Sequence, residues 1–281
     1  MQQLRIIDGV KVPPFLYGTA WKEAATQELT QQAIAHGFRG IDTANQRKHY
    51  DEAAVGRATS AAMAGGGITR DDLFLQTKYT FQRGQDHRLP YNPAAPIPIQ
   101  VEESFASSLV HLRVDRIDSY LLHGPSRSVG LGVEDWAAWQ AMEKIQADGR
   151  VGLLGISNVS LEQLEILCKE ARVKPRLVQN RCYAVSGWDR DVRLFCAANG
   201  IAYQGFSLLT ANRGVIASDH LASLAQRHCC SPAQLIFRFA MDLGMIPLTG
   251  TTNPKHMKLD LKALDMQLQA DDIAFIECIA G

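Results

Sequence analysis

Ile117-Asp118-Ser119-Tyr120-Leu121-Leu122 is a short apolar run, Glu134 to Ala147 is an amphipathic helical window, and Gly152 to Ile156 is a second apolar run. A strand, a helical crossover and a strand form one βαβ unit, and this connection makes the two strands parallel. The same alternation continues outward from it. Toward the N-terminus lie the strand candidates Phe15–Gly18, Phe38–Ile41 and Leu73–Thr77. Helical windows at about Thr26–His36, Glu52–Met63 and Ile99–Leu112 separate them, the first closed by Gly37. Toward the C-terminus the strands are Leu177–Gln179, Ile201–Gly205 and Met245–Leu248. The helical windows there are Leu161–Ala171, Asp191–Ala198, Leu221–Arg227 and Pro232–Leu243, with further helices from about Pro254 and Ala270.

Eight strands that each feed a helix predict a parallel α/β sheet, and a chain of 281 residues favours its closure into a (β/α)8 TIM barrel over an open, doubly wound sheet. Leu4 to Val12, around Asp8-Gly9, reads as a β-hairpin ahead of the barrel. No repeat or linker interrupts the pattern, so residues 1–281 are read as one domain. Tyr79 to Pro98, rich in Pro, Gly and Asn, follows the third strand and belongs on the mouth face of such a barrel.

Lys+Arg and Asp+Glu are both 29, which leaves no basic footprint for nucleic acid or an anionic membrane. No stretch is long and apolar enough to span a bilayer. The N-terminus, Met1-Gln2-Gln3-Leu4-Arg5, shows no signal peptide. The six cysteines contain no Cys-x-x-Cys and read as reduced thiols of a cytoplasmic protein. Cys229 and Cys230 stand beside His228 but lack a second ligand pair at zinc-like spacing, so no metal site is expected.

In a (β/α)8 barrel the reactive groups lie at the C-terminal strand ends. Those ends carry Asp42, Lys78 and His123. Taken singly, Asp42 could fix a loop, Lys78 could be a solvated strand end and His123 could be a turn histidine. Their joint occurrence is more informative, because consecutive strand ends converge on one mouth.

Here a resemblance becomes specific. Gly37-Phe38-Arg39-Gly40-Ile41-Asp42-Thr43-Ala44, with Glu52 and Val55-Gly56 after it, resembles the aldo-keto reductase signature. Gly18-Thr19-Ala20-Trp21-Lys22, Ile117 to His123 and Gly155-Ile156-Ser157-Asn158 resemble that family's first, fourth and fifth strand segments, in order. The resemblance implies reduction of aldehyde and ketone carbonyls by a nicotinamide cofactor, with a tetrad carried onto Asp42, Tyr50, Lys78 and His123. Lys78 would lower the phenol's pKa from about 10, Asp42 would hold Lys78, and His123 would polarise the carbonyl oxygen. The family places its tyrosine five residues after the aspartate. Arg47 stands there, and Tyr50 follows in a Lys48-His49-Tyr50 run, as in a variant subgroup with a short C-terminal tail. His49 is the alternative acid, and a loop tyrosine on the surface is the plain reading of Tyr50.

The same resemblance places the cofactor on Thr19, Ala20, Ser157, Asn158, Gln179, Phe206, Ser207 and Leu208, then on Thr249, Gly250, Thr251 and Thr252, with His256 and Asp260 in the helix that follows. No G-x-G-x-x-G follows a strand, which argues against a Rossmann site. Asn253-Pro254 suits a helix N-terminus that faces a phosphate, and it equally suits an ordinary capped helix. NADPH is the expected cofactor. NADH is possible, because Leu248 and His256 stand where NADPH users carry Lys and Arg. Trp21, Tyr79 and the Tyr91-Asn92-Pro93 loop are expected as apolar substrate walls, and Trp188 as either wall or core. The chain ends at Gly281 after its last helix, and the pocket is expected to be open. No Arg cluster is read near the mouth, so no acidic substrate is indicated. Monomer is the family's usual state. A cofactor-binding regulatory barrel without turnover, or an isomerase or cyclase on the same fold, are the alternatives. Cofactor binding without reduction would mark the first, and product without cofactor the second.

Overall fold

The computed structural model describes residues 4–280. Strands β1 (Arg5–Ile7) and β2 (Val10–Val12) pair antiparallel as the expected hairpin. Asp8 and Gly9 turn it, both at positive φ, where Gly9 carries no steric cost. Eight further strands close a parallel barrel: β3 (Leu16–Gly18), β4 (Gly40–Asp42), β5 (Phe74–Tyr79), β6 (Ile117–Leu122), β7 (Val151–Ser157), β8 (Leu177–Arg181), β9 (Ala202–Phe206) and β10 (Ile246–Thr249). They pair in chain order, and β10 closes on β3.

The helices are α1 (Thr26–His36), α2 (Glu52–Ala64), α3 (Ile97–Leu112), α4 (Val133–Ala147), α5 (Leu161–Glu170), α6 (Arg190–Ala198), α7 (Arg213–Ile216), α8 (Asp219–Arg227), α9 (Pro232–Asp242), α10 (Pro254–Leu261) and α11 (Ala270–Glu277). Their limits follow local chemistry. Gly37 ends α1 in the left-handed conformation at φ 114°. Asp51 caps α2 through the Ala54 N–H, and Ser160 and Ser231 form reciprocal caps with Gln163 and Gln234.

The barrel interior is graded. Val10 and Val12 of the hairpin join Leu16, Phe74, Leu153, Leu177, Ala202 and Ile246 in one apolar cluster. One step further along the strands, on the same inward face, the side chains turn polar: Asp42, Gln76, Gln179 and Gln204 are all buried. This polar layer is the floor of the site. Trp188 belongs to the core, packed on Phe239 and donating its indole N–H to the Ile276 carbonyl.

Candidate functional site

Asp42 ends β4, and its carboxylate is held from three sides. Gln76 and Gln179 donate to Oδ1 at 2.7 and 3.0 Å, and Gln204 ties those two glutamines together. Lys78, fully buried on β5, donates to both Asp42 oxygens at 2.7 and 2.8 Å and to the Thr43 carbonyl at 2.8 Å. Burial pulls the Lys78 ammonium below its ordinary range, while Asp42 and then Glu52 act against that.

Tyr50 reaches the same point through a turn. The Gln46 carbonyl accepts from both His49 N and Tyr50 N, at 3.1 and 3.0 Å, so the segment after Asp42 coils before α2 begins. The Gln46 side chain ties this turn to the Gly84 carbonyl, and the His49 carbonyl accepts from Trp21 N. The turn absorbs the longer spacing and sends Tyr50 into the barrel mouth. Its ring faces Lys78 Nζ at 5.4 Å and the His123 ring at 6.1 Å. His49 turns to the rim, its ring 3.8 Å from that of Trp21 and its Nδ1 2.9 Å from Gln46 Oε1.

The phenol is not lowered as expected. Burial raises Tyr50 above its ordinary range, Asp42 adds to the rise, and Arg181 opposes it. Lys78 shares no hydrogen bond with the phenol, because its N–H groups are directed at Asp42 and Thr43. His123, at the end of β6, has its pKa lowered to about 3 by burial, then by Lys78 and His49. Its Nδ1 sits 2.6 Å from Thr80 Oγ1.

These groups open on a cavity of about 1250 Å³ at the C-terminal mouth. Asp42, Tyr50 and His123 line one side, with Trp21, which is 69% exposed. Ser157, Asn158, Gln179, Phe206, Ser207 and Leu208 line another, and Ala20, Thr249, Gly250, Thr251, Thr252, His256 and Asp260 continue it. Asn158 donates to the His123 carbonyl at 2.8 Å, which links the two sides. Trp21, Asn158 and Ser207 are all non-glycine residues at positive φ (61°, 52° and 57°), a costly backbone state that clusters at working sites.

Matched against protein families, residues 16–280 fit the model of the aldo/keto reductase family. The chain belongs to the aldo/keto reductase family. An uncharacterised oxidoreductase of Bacillus subtilis, YtbE, is 29% identical over 97% of this chain and 90% of its own length. A glyoxal reductase of the same organism is 26% identical over 98% of this chain and 92% of its own length. The crystal structure of an aldo/keto reductase from Brucella melitensis superposes with a TM-score of 0.82 at 28% identity, covering 99% of both chains.

Several residues expected at the site do not line the cavity, the fully buried Lys78 among them. Thr19 is fully buried, and its hydroxyl donates to the Asp42 carbonyl at 2.9 Å. Tyr79 is one residue past Lys78 on β5, so its side chain points out of the barrel, toward the helices. It packs there on Phe81 and Tyr91 and bonds Gln100. Tyr91 is buried likewise, on the Thr80 carbonyl, so this loop supplies no substrate wall. At α10, Asn253 Oδ1 takes the Lys255 N–H at 2.9 Å and Thr251 Oγ1 takes the Asn253 N–H at 3.2 Å, so the capped-helix reading holds for those donors.

Other cavity residues were missed. Lys22, which the sequence offers only within the Gly18–Lys22 motif, is buried and joins the loop after β3 to the neighbouring loop after β10 through the Gly250 carbonyl at 2.7 Å. Its ammonium lies 5.1 Å from the centroid of the Tyr17 ring, and burial lowers its pKa to about 8. Arg83 reaches over the mouth to the Pro125 and Ser126 carbonyls and straps the loop after β5 to the loop after β6. Arg127 and Arg181 also line the cavity, so with Arg83 three arginines border the mouth. The two-residue period of β8 was the signal available for Arg181, which must share the inward face of Gln179.

Proposed function

We propose that the protein reduces aldehyde and ketone carbonyls to alcohols with NADPH, using Tyr50 as proton donor. The observation that carries this reading is the meeting of Tyr50, Asp42 and His123 on one cavity, with Lys78 buried behind them on Asp42, while the other wall suits a nicotinamide. Both N–H groups of Gln179 are committed to Asp42 and Gln204, which leaves its amide oxygen for the carboxamide of the ring. Asn158 and Ser157 stand beside it, Phe206 offers an aromatic face, and Lys22 with the Gly250 turn suits the phosphates. NADPH is preferred over NADH on the family's usage and on Lys255, His256 and Lys258 at the start of α10. A bound nicotinamide supplies the hydride.

The chain's own groups do the rest. The neutral His123 orients the carbonyl oxygen through Nε2, provided that Thr80 donates its hydroxyl proton to Nδ1. Tyr50 gives its proton to that oxygen as negative charge builds there. Lys78, facing the Tyr50 ring, stabilises the phenolate left behind, and Asp42 keeps Lys78 charged. A raised phenol pKa keeps Tyr50 protonated and ready for the reductive direction. A cytoplasmic location is consistent with free, buried Cys168, Cys182 and Cys196, and no described helix is long and apolar enough to cross a membrane.

Oxidation of NADPH and of NADH at neutral pH with an activated aromatic aldehyde tests this reading. Turnover is expected, faster with NADPH. Turnover only with NADH would make the contacts around Leu248 decisive. No turnover with either cofactor across several aldehydes would favour the regulatory or non-redox barrel.

A further inference from the structure

We infer that Arg181 anchors an anion in the substrate site, and that the carbonyl compound reduced here carries a carboxylate beside its carbonyl, as a 2-oxo acid does. This rests on the reductase reading and names its substrate class. Arg181 is two residues after Gln179 on β8, on the same inward face and one step nearer the mouth. It pairs across the sheet with Phe206, and its guanidinium lies over that ring, 5.3 Å from the centroid. Among the described residues no carboxylate or carbonyl takes its N–H groups. It is also near enough to Tyr50 to act against the rise in the phenol's pKa.

The other charges at the cavity are spent or lie to one side. Asp42 is committed to Lys78, Gln76 and Gln179, and Asp260 accepts from the Thr249 hydroxyl at 2.8 Å. Lys22 is held on the Gly250 carbonyl and Arg83 on Pro125 and Ser126, whereas Arg127, in the loop after β6 against Gly132, shares with Arg181 the lack of an acceptor among the described residues. Arg181, exposed at the mouth end of β8, is thus a fork of N–H donors without a protein acceptor, lining the same cavity as Tyr50. A neutral carbonyl compound makes no use of it, whereas a carboxylate fits it in two parallel hydrogen bonds. In the reaction the 2-oxo carbon takes the hydride and the ketone oxygen takes the Tyr50 proton. The π pair of the C=O becomes the O–H bond, the carboxylate is unchanged, and the products are a 2-hydroxy acid and the oxidised cofactor.

The test compares phenylglyoxylate with its methyl ester, which differ in charge while the ketone is retained. For the parent, kcat/KM on the acid is expected to exceed that on the ester, although the ester is the more electrophilic. In Arg181→Gln the acid-to-ester ratio is expected to fall about 30-fold, through KM on the acid, with Arg181→Lys recovering part of it. Calorimetry with mandelate, the product, reads the anchor without turnover: the parent binds it and Arg181→Gln does not. Equal loss on both substrates would make Arg181 a cofactor or structural group and overturn the inference. So would a parent that reduces the ester well but neither prefers the acid nor binds mandelate, and the reductase reading would then still stand. If neither ketone is reduced, the substrate class named here is overturned, and turnover of an aromatic aldehyde decides separately whether the reductase reading stands.

Discussion

Lys78 directs its N–H groups at Asp42 and Thr43 and stands 5.4 Å from the centroid of the Tyr50 ring, so it shares no proton with the phenol. That arrangement fixes the pH behaviour. His123, lowered to about 3, is neutral through the working range, and Tyr50, raised above its ordinary value of about 10, keeps its proton there. The ratio kcat/KM for carbonyl reduction reports ionisations of the free enzyme and its substrate. It is therefore expected to show no limb from either residue between about pH 6 and pH 9. An acid limb near the ordinary histidine value that disappears in His123→Asn would contradict this. The same depression makes His123 a stability group. Its contribution is present above the unfolded value of about 6.5 and is lost as pH falls toward the folded value. At this scale Asp42, Lys78 and His123 were legible because strand ends in a barrel converge. Tyr50 was legible only by resemblance, since nothing in the sequence shows the Gln46 turn that delivers it. Tyr79 was misplaced because a strand end was treated as one position, although alternate residues face opposite ways.

Helix α2 approaches α3 more closely than any side chain would allow at Gly56. A methyl group there would meet the His111 carbonyl oxygen at 2.0 Å and the Leu112 Cα at 2.8 Å. One turn earlier, the buried Glu52 accepts from Thr77 and Ser108 and contacts His111 Nδ1 at 3.2 Å, so this seam joins α2 to α3 and to the strand that carries Lys78. Gly56→Ala is expected to destabilise the fold by about 1–3 kcal/mol, despite the better helix propensity of alanine. A urea melt reads this, and an unchanged midpoint would show that the helices can move apart at little cost. Helix α10 gives a second test. Burial raises the Asp260 carboxyl to about 6, so its ionisation works against the fold as pH rises through that value. Asp260→Asn keeps an acceptor for the Thr249 hydroxyl, and it is expected to raise Tm at pH 7.5 and leave it little changed at pH 4.5. An equal shift at both pH values would point to packing and not to charge. Element types and their order were readable from periodicity and capping residues. The occupancy of the α10 N–H groups was not, because the same Asn253-Pro254 pair serves a bare and a self-satisfied helix end.

Across the whole molecule, the hairpin seals the apolar end of the barrel and the glutamine layer floors the polar end, so Asp42 and Lys78 stand on a buried, hydrogen-bonded base. The closed barrel was legible from the count and order of its strands. The cationic mouth was not. Lys22, Arg83, Arg127 and Arg181 come from four separate loops or strand ends, and a net charge of zero over the chain conceals a local excess. The central claim is that this assembly delivers the Tyr50 proton to a carbonyl. Single-turnover oxidation of bound NADPH by an aromatic aldehyde, parent against Tyr50→Phe, measures it most directly. The account predicts that Tyr50→Phe still binds NADPH and slows hydride transfer by about 10²- to 10⁴-fold. Hydride transfer at the parental rate in Tyr50→Phe, with its loss in His49→Gln, would contradict it.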